Sequence, residues 1–74
     1  MSKFVSLDYR DRDARIREII AVRKIEKVSV VSGESCIELV EREPNDRVYR
    51  FMHFDSQEEC DNQYRKFLDA LVGE

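Results

Sequence analysis

The side chains best suited to covalent chemistry are Cys36, Cys60 and the single histidine, His53. A nucleophilic site needs a thiol or hydroxyl beside a base that a third group orients, so a cysteine with His53 and Asp55 is the constellation to weigh. His53 and Asp55 stand two positions apart at the end of an extended run and can share a face. Cys36 shares no local motif with them. The expectation is therefore two reduced, buried thiols behaving as small hydrophobes, and a strand-end histidine. One bridge between two cysteines would in any case fall short of the dense disulfide framework of a secreted mini-protein. Metal and nucleotide chemistry find less support. No pair of soft ligands has the close spacing of a structural zinc site, and Gly33 and Gly73, the only glycines, sit in no phosphate-cradling or dinucleotide fingerprint. We expect no enzyme, no cofactor and no metal.

The elements that position these residues come from a short chain. Its 74 residues, 42% apolar and 39% charged, support one compact domain spanning residues 1–74. A domain of this size buries about 60% of the surface its unfolded chain exposes, so its core is marginal and oligomerisation is the remaining source of extra burial. No apolar run approaches the ~20 residues of a bilayer span. The start, Met1-Ser2-Lys3-Phe4, lacks the apolar core of a signal peptide. A soluble, cytoplasmic protein is expected.

Residues Lys3 to Tyr9 alternate with period two, Val5, Leu7 and Tyr9 on one side, which predicts a first strand. From Asp11 to about Arg23, Ile16, Ile19 and Ile20 fall at helical spacing, and Asp11/Arg15 and Asp13/Arg17 are acid-to-base pairs four apart. This predicts a short N-terminal helix, although Ile19-Ile20-Ala21-Val22 also reads as a buried strand. Glu26 to Ser32, Cys36 to Arg42 and Arg47 to Phe54 then form a three-strand meander, with turns at Ser32-Gly33-Glu34 and Glu43-Pro44-Asn45-Asp46. Cys60, Tyr64, Phe67, Leu68 and Leu71 make one stripe of a C-terminal helix. Ser56 and Glu59 write a capping box at its start, and Gly73 marks its stop. The expected architecture is α+β, in the order β-α-β-β-β-α, an antiparallel sheet packed by the amphipathic C-terminal helix and a short N-terminal helix.

Both faces of the meander carry large apolar groups. Val48, Met52 and Phe54 oppose Tyr49 and Phe51 on one strand, and Cys36 and Val40 oppose Ile37 and Leu39 on its neighbour. Either two helices cover opposite faces, or one face meets another protein, and we expect a homodimer or a partner-bound form. Tyr9, Tyr49 and Tyr64 could stack on a ligand, but their strand and helix positions read as core.

Charge is unevenly spread. Through Lys24 basic residues outnumber acids, and from Ile25 onward the excess reverses, leaving the whole chain at −3. That balance disfavours a nucleic-acid binder, whose affinity rests on phosphate neutralisation. Arg10, Arg12 and Arg15 lie in a segment whose acids alternate with its bases, which reads as a solvated helix face. Glu34, Glu38, Glu41, Glu43 and Asp46 gather on the meander and could dock into a basic groove. With Tyr49 and Phe51, these arginines and acids form the candidate interaction set.

The function class these features favour is a non-enzymatic binding protein that occludes or bridges a protein partner. In size and charge alone the chain is comparable to small inhibitors encoded by mobile elements, such as anti-CRISPR proteins, and no motif carries that comparison. Two alternatives stand beside it. One is a homo-oligomer that sequesters a small anionic ligand such as a nucleotide, held by Arg10, Arg12 or Arg50. The other is a nucleic-acid accessory protein using the basic N-terminal helix. A structural subunit of a larger assembly completes the set.

Overall fold

The structure is a computed structural model that describes residues 4–31 and 33–72. The strand start expected at Lys3, the strand end and turn residue Ser32 and the helix stop at Gly73 lie outside the described residues. Five strands, β1 (Phe4–Asp11), β2 (Ala14–Ala21), β3 (Ile25–Val30), β4 (Cys36–Glu43) and β5 (Asp46–His53), precede one helix, α1 (Gln57–Val72). All strand pairs are antiparallel, in the order β2-β1-β5-β4-β3. The α+β class and the meander stand as expected.

The N-terminal helix does not form. The segment is the second arm of a hairpin, followed by a single 3-10 turn over Val22–Lys24. The physical reason is pairing. Ile16, Ile19 and Ile20 satisfy helical spacing locally, but β-branched side chains also suit a strand. Register against β1 sets Val5 opposite Ile20, Leu7 opposite Glu18 and Tyr9 opposite Ile16, on one face. Asp11/Arg15 and Asp13/Arg17 therefore do not stack as helical ion pairs. Arg12, in the two-residue connection, takes a φ of 60°, a left-handed conformation that costs a residue with a side chain.

One face of the sheet carries the core. Leu7, Ile37, Leu39 and Met52 are fully buried against Cys60 and Phe67 of α1, with Val5, Tyr9, Ile20, Ile25 and Ala70 around them. The helix is rotated from its expected stripe. Cys60, Gln63, Phe67 and Ala70 face the sheet, Tyr64 is half-buried, and Leu68 and Leu71 are exposed. Ser56 caps the helix by accepting the Glu59 N–H on its Oγ at 3.2 Å. The Glu59 carboxylate lies toward Arg15 instead, at 3.8 Å. Gly33, in the β3–β4 turn, takes the positive φ of 81° that its turn requires.

Gln63 explains the rotation. β5 runs alongside β1 at one pair only, Arg10 with His53, because the chain leaves the sheet after His53 to enter the helix. The rest of β1 would lack a partner on that side. Gln63, buried to 2% exposure, takes the missing strand's place. Its Oε1 accepts the Asp8 backbone N–H and its Nε2 donates to the Ser6 carbonyl, both at 3.0 Å. A primary amide can do this because it carries the same donor and acceptor as a peptide group.

With a single helix among the described residues, lying on one side, the alternative in which two helices cover opposite faces is not met. The second face, formed by alternate residues of every strand, carries no helix; Cys36 and Val40 on it are nonetheless buried, while Tyr49 and Phe51 are exposed.

Candidate interaction surface

The open face is built by strand parity. Asp8 and Arg10 of β1, Arg15 and Arg17 of β2, Glu38, Val40 and Arg42 of β4, and Arg47, Tyr49, Phe51 and His53 of β5 fall on it. Cross-strand register opposes Arg10 to Arg15 and Arg42 to Arg47. Such like-charge pairs need intervening acids. Asp8 supplies one, bonded to Arg15 Nε at 2.9 Å and Nη2 at 3.3 Å and lying 3.8 Å from Arg17. The Arg15 hydrogen bond holds Asp8 below its ordinary pKa. Arg10 reaches Asp55 at 3.4 Å, and Glu26 bridges Arg47 at 2.6 Å and Arg42 at 4.0 Å. The arginines of this face thus already have carboxylate partners, which weakens any claim on phosphate.

The opposite face holds a second ionic group. Arg50 lies at a core-facing position of β5 and bonds Glu41 at 2.7 Å, Glu18, and the Tyr9 hydroxyl at 3.2 Å. The Tyr9 hydroxyl in turn donates to Glu18 at 3.0 Å. Burial, aided by the Glu18 carboxylate, raises the Tyr9 pKa and keeps that proton in place. The group ties the β1–β2 hairpin to the β4–β5 hairpin where no backbone ladder does. Arg50 is therefore engaged in structure rather than turned to a ligand.

The expected acidic cluster is dispersed. Glu34 lies in the β3–β4 turn, Glu43 and Asp46 at the β4–β5 turn, and Glu38 on the open face. Glu41, whose side chain is 8% exposed, is turned inward to Arg50. Arg12 sits at the hairpin tip, apart from Arg10 and Arg15 on the open face. Tyr49 and Phe51 come together there, 60% and 53% exposed, with Val48 at 43% on the other side of the same strand. The expectation that Tyr49 is core is overturned, because only one face receives a helix. Tyr9 is core, as read, and Tyr64, also read as core, is half-buried against it.

The backbone of β5 adds to this. The Phe54 N–H donates to the Ser35 carbonyl at 2.9 Å, so alternate residues back along the strand turn their polar groups toward β4. The intervening residues, Arg47, Tyr49 and Phe51, turn theirs to the other side. β1 ends at Asp11 and pairs only with His53, so the described residues place no strand beside that stretch. The outermost strands differ from it. β2 carries Arg15 and Arg17, and β3 is six residues long with a register shift between Ile25 and Lys27, both devices that discourage edge pairing. The run Arg47–Phe51 lacks a bulge, a proline or a glycine.

The thiols occupy the environment expected of buried cysteines. Register sets Cys36 directly across from His53, which the sequence did not suggest, yet Cys36 is 4% exposed and free. Burial pushes both thiol pKa values up, with Glu34 and Glu38 adding to Cys36 and Asp61 to Cys60. A nucleophile requires the reverse shift. At pH 8 both thiols should resist an aromatic disulfide reagent in the folded protein and react at the free-thiol rate in urea; prompt reaction of either in the native state would contradict this. The folded values lie above the unfolded ones, so the thiols' contribution to stability is complete below the ordinary value of 9.0 and is lost as pH rises beyond it.

A groove of about 600 Å³ lies over β1 and β2, lined by Ser6, Asp8, Arg17, Ile19 and Lys66 among others. Asp8 within it opposes anion binding, and Arg17 is already directed to that carboxylate. No helix is long and apolar enough to cross a membrane among the described residues. Among the same residues there is no group of three or more His, Cys, Asp or Glu side chains able to hold a metal ion.

These features define an α+β protein whose antiparallel sheet is helix-covered on one face and open on the other. Comparison with protein-family models, curated proteins and solved structures finds none that matches this chain.

Proposed function

We propose that this chain is a non-enzymatic interaction protein that accepts an extended segment of a protein partner as an added strand along β5. The observation that carries the reading is the run Arg47–Phe51, bonded to β4 on one side, without a paired strand on the other among the described residues, and bearing the exposed side chains of Val48, Tyr49 and Phe51. Strand addition draws affinity from main-chain hydrogen bonds and selectivity from alternate side chains. Tyrosine and arginine, both present in the run, are the residues that anchor protein interfaces. Occlusion of the partner's own surface is the effect such a contact has when the added body is this small. The anionic-ligand and nucleic-acid readings lose ground because Arg10, Arg15, Arg17, Arg42, Arg47 and Arg50 each face a carboxylate.

A displayed library of short random peptides tests the reading. Selection on the folded chain should enrich sequences alternating aromatic or β-branched residues with polar ones. Their binding should fall at least tenfold on Phe51→Lys or Tyr49→Asp, variants of exposed positions whose circular dichroism should match the parent. Absence of enrichment, or peptides that bind parent and variants alike, would overturn it.

A further inference from the structure

We infer that the groove between the Val22–Lys24 turn and the end of β4 is a binding site for a small phosphate monoester, held by Arg23, Lys24 and Arg42. The site is separate from β5, and the inference does not depend on strand addition there.

The topology brings these cations together. β2 and β3 lie at opposite edges of the sheet, yet only the 3-10 turn Val22–Lys24 joins them. The chain from Ala21 to Ile25 reaches at most about 14 Å, less than the ~19 Å across five strands of a flat sheet, so the sheet curls until its edges approach at this turn. The turn packs against β4, and the register of Ile25 with Glu41 carries Lys24 and Arg23 alongside Arg42 and Glu43. The result is a groove of about 530 Å³ lined by Arg23, Lys24, Arg42, Glu43 and Pro44.

Arg23 and Lys24 differ from the arginines of the sheet. Asp8 answers Arg15 and Arg17, and Glu26 answers Arg47, but among the described residues no carboxylate pairs with Arg23 or Lys24. Arg42 is nearly as free, since Glu26 lies 2.6 Å from Arg47 and 4.0 Å from Arg42, beyond hydrogen-bond reach. Cations set side by side without an acid between them repel, and a bound anion relieves that repulsion. Glu43 in the lining offsets one of the three charges, leaving an excess of about two, the complement of a phosphate monoester carrying about −1.5 to −2 at neutral pH. Arginine meets phosphate oxygens as a two-pronged donor, and lysine adds a point charge. The groove is larger than a phosphate group, and Pro44 with the alkyl stems of the cations offers an apolar surface to the body of the ester.

NMR titrations at constant ionic strength with phenyl phosphate, inorganic phosphate and phenol test the site. Phenyl phosphate should shift the amide resonances of residues 22–25 and 42–45 saturably and at lower concentration than inorganic phosphate, and phenol should leave them unmoved. Arg23→Gln and Lys24→Gln should each weaken phenyl phosphate binding by about tenfold, the loss of one charge-assisted hydrogen bond, whereas Glu43→Gln should strengthen it. Arg65→Gln, an exposed change on α1 with the same effect on net charge, should leave the affinity unchanged. Thermal melts of these variants close to the parent would show that folding is intact. Shifts that stay linear with phenyl phosphate, inorganic phosphate binding as tightly as the ester, phenol moving the same resonances, or Arg65→Gln weakening binding as much as Arg23→Gln would each overturn the inference.

Discussion

Gln63→Ala should destabilise the domain by about 2–4 kcal/mol, because a buried backbone donor or acceptor left without a partner costs roughly 1–3 kcal/mol and Gln63 serves one of each on β1. For a domain whose whole stability is of the order of 0.05–0.15 kcal/mol per residue, that is a large share. Urea titration should show a lower midpoint with little change in slope. Gln63→Glu separates hydrogen bonding from packing. It keeps the shape but, when ionised, sets a carboxylate against the Ser6 carbonyl and loses the donor. That variant should be as unstable as the alanine form at neutral pH and recover as the pH is lowered and the acid gains its proton. If Gln63→Ala melts with the parent protein, the account of β1 given above is wrong.

Arg50→Met should cost about 3 kcal/mol, the lower end of the range for removing one partner of a buried ion pair. Glu41 sets the size of the effect, since its side chain is nearly enclosed, whereas Glu18 keeps contact with water. The same principle predicts a rescue. In Arg50→Met/Glu41→Leu no buried charge is stranded, and most of the lost stability should return. The double variant reads out the pair's net worth. If it is no more stable than Arg50→Met alone, the cost lies in Tyr9 and Glu18 rather than in Glu41.

These two positions also show what a linear reading can reach. Gln63 falls three residues after Cys60 and four before Phe67, so a polar amide on the most buried stripe was visible as an anomaly. Arg50 shares parity with Met52, and Glu41 with Ile37 and Leu39, so opposite charges at core positions of neighbouring strands were equally legible. Acid–base spacing close in sequence does not reveal them, because the ion pairs form across strands. Asp8 pairs with Arg15 and Arg17 across a hairpin, and Glu26 with Arg42 and Arg47 across the meander, rather than along a helix. Of the candidate interaction residues, Tyr49 and Phe51 are brought together on the open face, while Glu41 is withdrawn into the core.

The alternation of Val5, Leu7 and Tyr9, the turns at Gly33 and Pro44, the three-strand meander and the capped C-terminal helix were determined locally. Each depends on side-chain period, on a residue's own φ preference, or on a cap within one turn, and none needs a distant partner. The identity of Ala14–Ala21 was different, because helix and strand bury Ile16 and Ile20 equally well in isolation and only pairing with β1 distinguishes them. The rotation of the helix followed from a hydrogen-bond demand 55 residues away in the chain. The open edge of β5 is likewise a tertiary outcome. It exists because β1 ends at Asp11, just past its one pair with His53, and turns back into β2, a consequence of topology that no local pattern of residues encodes.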